Sequence, residues 1–250
     1  VGCAFVAFGP DRVRGRLSSH CRPVLGSCTR SARNDASPET RVPEVISYGE
    51  DPLTYWALTQ RLDEVLSKLG DSSPRDEALV IYRPSFGRGG SAKASRSRDN
   101  ARSEFGEFDA IVAGQAIYLI EAKWSRSSEH VGERVQLRPQ QVLRHDIFRW
   151  HLDQWRSDRP ATWESFYRAR AGEYRGTFPG FALAPPGSLL ALNLSFLLAR
   201  LANGPRQVRD VLLHLGFPGM PVPKSVAPPR FHLVHLEATT LNDGGYFRLQ

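Results

Sequence analysis

Asp109, Glu121 and Lys123 are the residues of this 250-residue chain whose types and spacing could do chemistry together. On a β-strand, residues two apart project from the same face, so Glu121 and Lys123 of the triplet Glu121-Ala122-Lys123 point together while Ala122 points away. A chain reversal near Gly114 sets Asp109 across from Leu119 or Ile120, with Glu121 beside it directly or diagonally. Two carboxylates in a partly buried site repel unless a proton or cation neutralises them, and a hard divalent ion is the natural third member. Magnesium, with manganese able to substitute, prefers oxygen donors, retains waters and accepts a substrate phosphate. A neighbouring ammonium such as Lys123 orients an attacking water and offsets charge developing at phosphorus. Phosphodiester hydrolysis is the chemistry these residue types favour.

The elements that must position them can be read from pattern. Phe105 to Trp124 reads as two strands around Ala113-Gly114-Gln115. Upstream, Asp51-Pro52 opens a helix with Asp51 as its cap; Leu58, Leu62, Val65, Leu66 and Leu69 recur at helical spacing until Gly70. Glu50 stands at that helix entrance. Ala78 to Tyr82 has strand character, and Pro84 to Arg102 reads as a pliant basic loop in which Arg88, Lys93, Arg96 and Arg98 suit phosphate contacts. A helix is expected from Pro139 to Trp155, another from Ser188 to Ala202, a shorter one from Arg206 to Leu215, and a late strand from Phe231 to Leu241. Trp150 and Trp155 with Arg149 and Arg156 make a basic, aromatic helical end suited to stacking on bases or contacting phosphates, although core packing is the commoner explanation for the tryptophans; His232 and His235 have no evident partner at metal-ligand spacing.

The formal charge of +7 favours polyanionic partners through phosphate neutralisation, and nucleic acid leads among them. A hydrophobic fraction of 41% suits a packed core and argues against global disorder. Residues 1–43 carry scattered Arg, Ser, Gly and Pro without periodicity and read as a poorly ordered basic arm; 44–250 form the folded domain, with 160–250 completing the fold or making a substrate- or partner-binding extension. Cys3, Cys21 and Cys28 all lie in the arm at spacings that match no zinc pattern, which fits a reducing compartment. The longest apolar stretch is too short for a bilayer span of about 20 residues, and the apolar opening lacks a preceding cationic region. A cytoplasmic setting without membrane partners is the expectation.

Phe108-Asp109, the hairpin and Glu121-Ala122-Lys123 resemble the motif of the PD-(D/E)XK nuclease superfamily, with Phe108 in place of the motif's Pro. The resemblance covers roughly Tyr48 to Trp155. It implies a restriction-endonuclease-like α/β fold, a mixed central sheet flanked by helices, and a magnesium-dependent deoxyribonuclease, with DNA ahead of RNA as substrate and a homodimer for cutting both strands. It further implies that Asp109 and Glu121 hold the metal, that the main-chain carbonyl of Ala122 joins them, and that Lys123 assists the water. A further carboxylate from the preceding helix is represented by Glu50. Pro139 to His145 is similar to the helix that follows the motif, from which Gln141 and Arg144 face the site or the nucleic acid. The competing expectation is a noncatalytic nucleic-acid-binding or assembly module that retains the fold.

Overall fold

A computed structural model describes residues 44–87, 101–242 and 245–249. In chain order the elements are β1 (Val45–Tyr48), α1 (Glu50–Gln60), α2 (Leu62–Lys68), β2 (Leu79–Tyr82), β3 (Ser85–Phe86), β4 (Gly106–Glu107), β5 (Ala110–Ala113) and β6 (Ile117–Trp124). They continue as β7 (His130–Val131), β8 (Arg134–Gln136), α3 (Pro139–Asp158), α4 (Trp163–Thr177), α5 (Leu189–Ala202), β9 (Val208–Gly216), β10 (Ser225–Ala227), β11 (His232–Glu237) and β12 (Tyr246–Leu249).

The chain is an α/β protein built on a mixed five-stranded sheet in the order β11-β9-β6-β5-β2. β6 is its spine: antiparallel to β5 on one side and parallel to β9 on the other, with β11 parallel to β9 and β2 antiparallel to β5. Strict alternation along β6 divides the core. Tyr118, Ile120 and Ala122 pack with Leu53, Ala57, Val65 and Leu66 of α1 and α2. Ile117 and Leu119 face the opposite layer, where Phe148 and Leu152 of α3, Phe166 and Tyr174 of α4, and Leu194 and Leu198 of α5 close over them. Each such side chain contributes roughly 1.5 to 3 kcal/mol when fully withdrawn from water. α5 is apolar on both sides, burying Leu194, Leu198 and Leu201 while exposing Leu189, Leu192 and Phe196.

The β5–β6 reversal is fixed by a buried carboxylate. Asp71 accepts from the Gln115 N–H (2.8 Å), the Tyr118 hydroxyl (2.8 Å) and the Ser73 N–H (2.8 Å). A Cβ at position 114 would stand 2.6 Å from the Asp71 Oδ2, so glycine is required there by close approach. Burial alone would push the Asp71 carboxyl up, but these donors outweigh it and hold its pKa below the ordinary value.

Several expected elements are corrected. Arg206 to Leu215 is not a helix: Val208–Gly216 is β9, a central strand. A parallel strand covered on both faces reads as a continuous apolar run, and its pairing partners are remote in sequence, so period alone cannot separate it from a buried helix turn. The helix expected from Asp51 to Leu69 is broken at Arg61 into α1 and α2, and its cap is Gly49, while Asp51 ion-pairs with Arg83. α4, announced by Thr162 accepting from the Ser165 N–H (3.2 Å), lies in a stretch to which the sequence reading gave no element. β9 and β11 place the segment after residue 160 in the main sheet. The basic arm 1–43 and the loop cations Arg88, Lys93, Arg96 and Arg98 lie outside the described residues. Among the described residues, no helix is long and apolar enough to cross a membrane.

Replacing Asp71 with Ala strips the Tyr118 hydroxyl and two amides of a charged acceptor, and is expected to cost about 2 to 4 kcal/mol in urea unfolding, with Asp71→Asn losing less.

Candidate active site

The register of the hairpin decides which groups meet. Ala110 pairs with Ile120 and Ile111 with Leu119, so Asp109, one residue before β5, falls opposite Glu121. The Asp109 Oδ2 accepts from the Ala122 N–H at 2.7 Å, which ties the incoming chain to the strand that carries Glu121 and Lys123. Glu121 and Lys123 continue the face of Ile117 and Leu119 and are 1% and 5% exposed.

The Lys123 Nζ is the geometric centre of the cluster. It lies 3.1 Å from the Glu121 Oε1, 3.2 Å from the Glu50 Oε1 and 2.6 Å from the Ala122 carbonyl oxygen. Glu50, the first residue of α1, is held on its other oxygen by the Trp124 N–H at 3.2 Å. Thus the hairpin and the helix entrance, 73 residues apart in sequence at Glu50 and Lys123, close on one ammonium.

α3 completes the surroundings of Glu121. Gln141 donates its amide to one carboxylate oxygen and Arg144 its guanidinium to the other, three residues apart on the same side of the helix. Gln141 is itself oriented by the Arg138 N–H, which its Oε1 accepts at 2.7 Å. Arg144 also reaches the Glu107 carbonyl and lies over the Phe108 ring, 5.8 Å from its centroid. Phe108, standing where the resembled motif has Pro, is therefore the aromatic floor for the cation that holds Glu121. The Glu107 carboxylate turns to Ser85 and Arg83.

The charges do not balance. Glu50, Asp109 and Glu121 face Lys123 and Arg144, and the deficit shows in the titration of Asp109, pushed up to about 7 by burial and then by Glu121, with Lys123 opposing. Burial also raises Glu50 above the usual carboxylate range, although Lys123 partly offsets it. Burial would lower the Lys123 pKa, yet Glu121, Glu50 and Asp109 outweigh it and hold the ammonium above the ordinary lysine value. The oxygen donors are chemically suited to a hard cation, and the excess of negative charge invites one. Their present arrangement is around the ammonium: among the described residues, no group of three or more His, Cys, Asp or Glu side chains is set to hold a metal.

Trp155 is buried and Trp150 packs on Tyr174 at 5.0 Å, while Arg149 binds the Val208 carbonyl and Asp210, and Arg156 binds the Leu201, Pro205 and Arg206 carbonyls. His145 is buried with its Nδ1 2.9 Å from the Asp210 Oδ1. The His235 Nδ1 lies 2.8 Å from the Nδ1 of His214, and the His130 ring is tilted against His214 at a centroid distance of 4.9 Å. Burial, then the charges of His235 and His130, push His214 down to about 3, so the pair is neutral at pH 7. Only the β9–β11 register brings these rings together. Comparison with protein-family models, with curated proteins and with solved structures finds no match.

Asp109→Asn removes a repelled carboxylate while keeping an acceptor for the Ala122 N–H. A carboxyl whose folded pKa is raised contributes stability that is full below its unfolded pKa and lost as pH rises through the folded value of about 7. The variant should therefore match wild type near pH 4 in chelator and exceed it by on the order of 1 to 4 kcal/mol above pH 7, read as melting curves across that range. A gap that is constant with pH would contradict the stored repulsion.

Proposed function

We propose that this protein is a metal-dependent nuclease that hydrolyses phosphodiester bonds of DNA, and that its mixed sheet is a restriction-endonuclease-like core. The observation that carries this reading is the convergence of Glu50, Glu121 and the Ala122 carbonyl about the Lys123 Nζ, with Asp109 tied beside them through the Ala122 N–H, on a hairpin whose sequence resembles the Asp, Glu-x-Lys motif. The net charge of +7 supports a polyanionic substrate.

Magnesium, or manganese in its place, would be held by Asp109, Glu121 and the Ala122 carbonyl, with Glu50 as a further oxygen. When bound, it supplies polarisation of a phosphate oxygen and neutralises charge that develops on it. Asp109 is kept in place by the Ala122 N–H, and Glu121 by Gln141 and Arg144, so neither carboxylate has to be ordered when substrate arrives. Gln141 and Arg144 are positioning residues in this reading, which differs from a direct role in gripping nucleic acid. Lys123 would offer its ammonium as a hydrogen-bond donor to the attacking water and to a phosphate oxygen on which charge develops.

One observation favours the second reading, a noncatalytic nucleic-acid-binding module: the Glu121 oxygens are already engaged by Lys123, Arg144 and Gln141. A single assay separates the two. Single-stranded, double-stranded and branched DNA and RNA are incubated with magnesium, manganese or chelator. Cleavage is expected with metal only, on DNA above RNA, and is expected to fall at least about 100-fold in Asp109→Ala and in Lys123→Ala. Binding with no cleavage of any substrate would establish the module instead, and cleavage indifferent to both substitutions would move the site elsewhere.

A further inference from the structure

β1 and β12 form an antiparallel ribbon beside the carboxylate cluster, in which Tyr48 is directly opposite Tyr246. The two side chains therefore share the ribbon's outer face, with ring centroids 5.2 Å apart, and are 49% and 47% exposed. Tyr48 also meets Trp124 edge to face at 5.2 Å, and Trp124 is backed by Phe217 at 6.3 Å. This arrangement leaves half of two large rings in water while bracing them from behind against a packed indole.

The position of the aromatic group is what gives it meaning. Tyr48 precedes Glu50 by two residues, and Trp124 follows Lys123 directly, its N–H holding the Glu50 carboxylate. Glu50, which the Trp124 N–H and the Lys123 ammonium share, is therefore the link between the aromatic group and the cluster. The Arg126 guanidinium adds a cation at the same edge: a Cβ on Gly245, the residue before Tyr246, would lie 3.4 Å from its Cζ. Exposed, pre-ordered aromatic faces next to a cation and a phosphate-handling site are the components from which single-stranded nucleic acid is bound, because every base has a stacking face and a continuous duplex presents none sideways.

We propose that Tyr48, Tyr246 and Trp124 form a stacking platform for an unpaired nucleobase, so that the adjoining site prefers single-stranded DNA or a frayed end to continuous duplex. The proposal rests on the nuclease reading for its choice of nucleic acid, but its test does not. Tyr48 and Tyr246 present their faces to the base, and Trp124 sets the angle of Tyr48.

The probe is a single-stranded dT12 oligonucleotide, compared with a 12-mer of abasic sites, which has the same phosphates and no bases, and with a hairpin duplex. Binding to the full chain is measured in chelator, where metal-dependent cleavage is silent, by quenching of tryptophan fluorescence and by anisotropy. Wild type is expected to bind dT12 about 5- to 100-fold more tightly than the abasic strand. The double variant Tyr48→Ala, Tyr246→Ala is expected to bind both alike, while Tyr48→Phe, which keeps the ring and serves as the folding control, retains the preference. Equal binding of dT12 and abasic strand by wild type, or an unchanged preference in the double variant, overturns the platform. So does light scattering that shows the ribbon occupied by a second copy and freed by Tyr48→Ala. Base-dependent binding without cleavage in magnesium would leave the platform standing and the nuclease reading fallen; metal-dependent cleavage of single-stranded DNA untouched by the double variant would do the reverse.

Discussion

The carboxylate of Glu121 is withdrawn from water almost completely, and most of the architecture around it follows from what that burial demands. A buried anion costs several kcal/mol unless cations and hydrogen-bond donors surround it, and removing one partner of such a group is far more damaging than replacing the whole set. Lys123 is supplied by the pleat of the same strand, Arg144 and Gln141 by α3. α3 must then be docked firmly, which is done from β9: Asp210, also buried, takes His145 and Arg149 from α3 and Arg230 from the segment before β11. Two buried carboxylates, one on β6 and one on β9, thus pin the same helix at two points. Between them the apolar contacts of Ile147, Phe148 and Leu152 supply the bulk of the attraction.

The cluster is nonetheless not at rest electrically. Nearby, Asp71 shows how a carboxylate is settled when stability is the only demand: three donors and a lowered pKa. Asp109 accepts from one amide, faces Glu121 and Glu50, and is raised to about 7. The difference between them is not burial alone but the number of donors offered against the number of like charges. Repulsion held in place by a well-packed scaffold is the usual signature of groups kept for binding and chemistry, where a ligand rather than the fold relieves the strain.

The ribbon of β1 and β12 adjoins the entrance of α1. It joins the two ends of the described domain, and Tyr48 connects it to the cluster through Trp124 and through its two-residue distance from Glu50. The helix entrance at Gly49 therefore has two duties, starting α1 and delivering Glu50 to the Lys123 ammonium.

By itself the sequence determined the hairpin, the faces of β6 and the meeting of Asp109, Glu121 and Lys123, because a period of two and a turn at Gly114 are local facts. It likewise determined α3, α5 and the strand character of β2, whose periodicity and caps lie within each segment. The identity of β9 was decided only by tertiary structure, since an apolar run between two remote parallel partners carries no periodicity of its own. So were the partners of Glu121, the pairing of His214 with His235, and the distance of Glu50 from Lys123. These depend on which helix crosses which strand and at what height, quantities fixed by side-chain packing across the whole sheet and not by spacing along the chain.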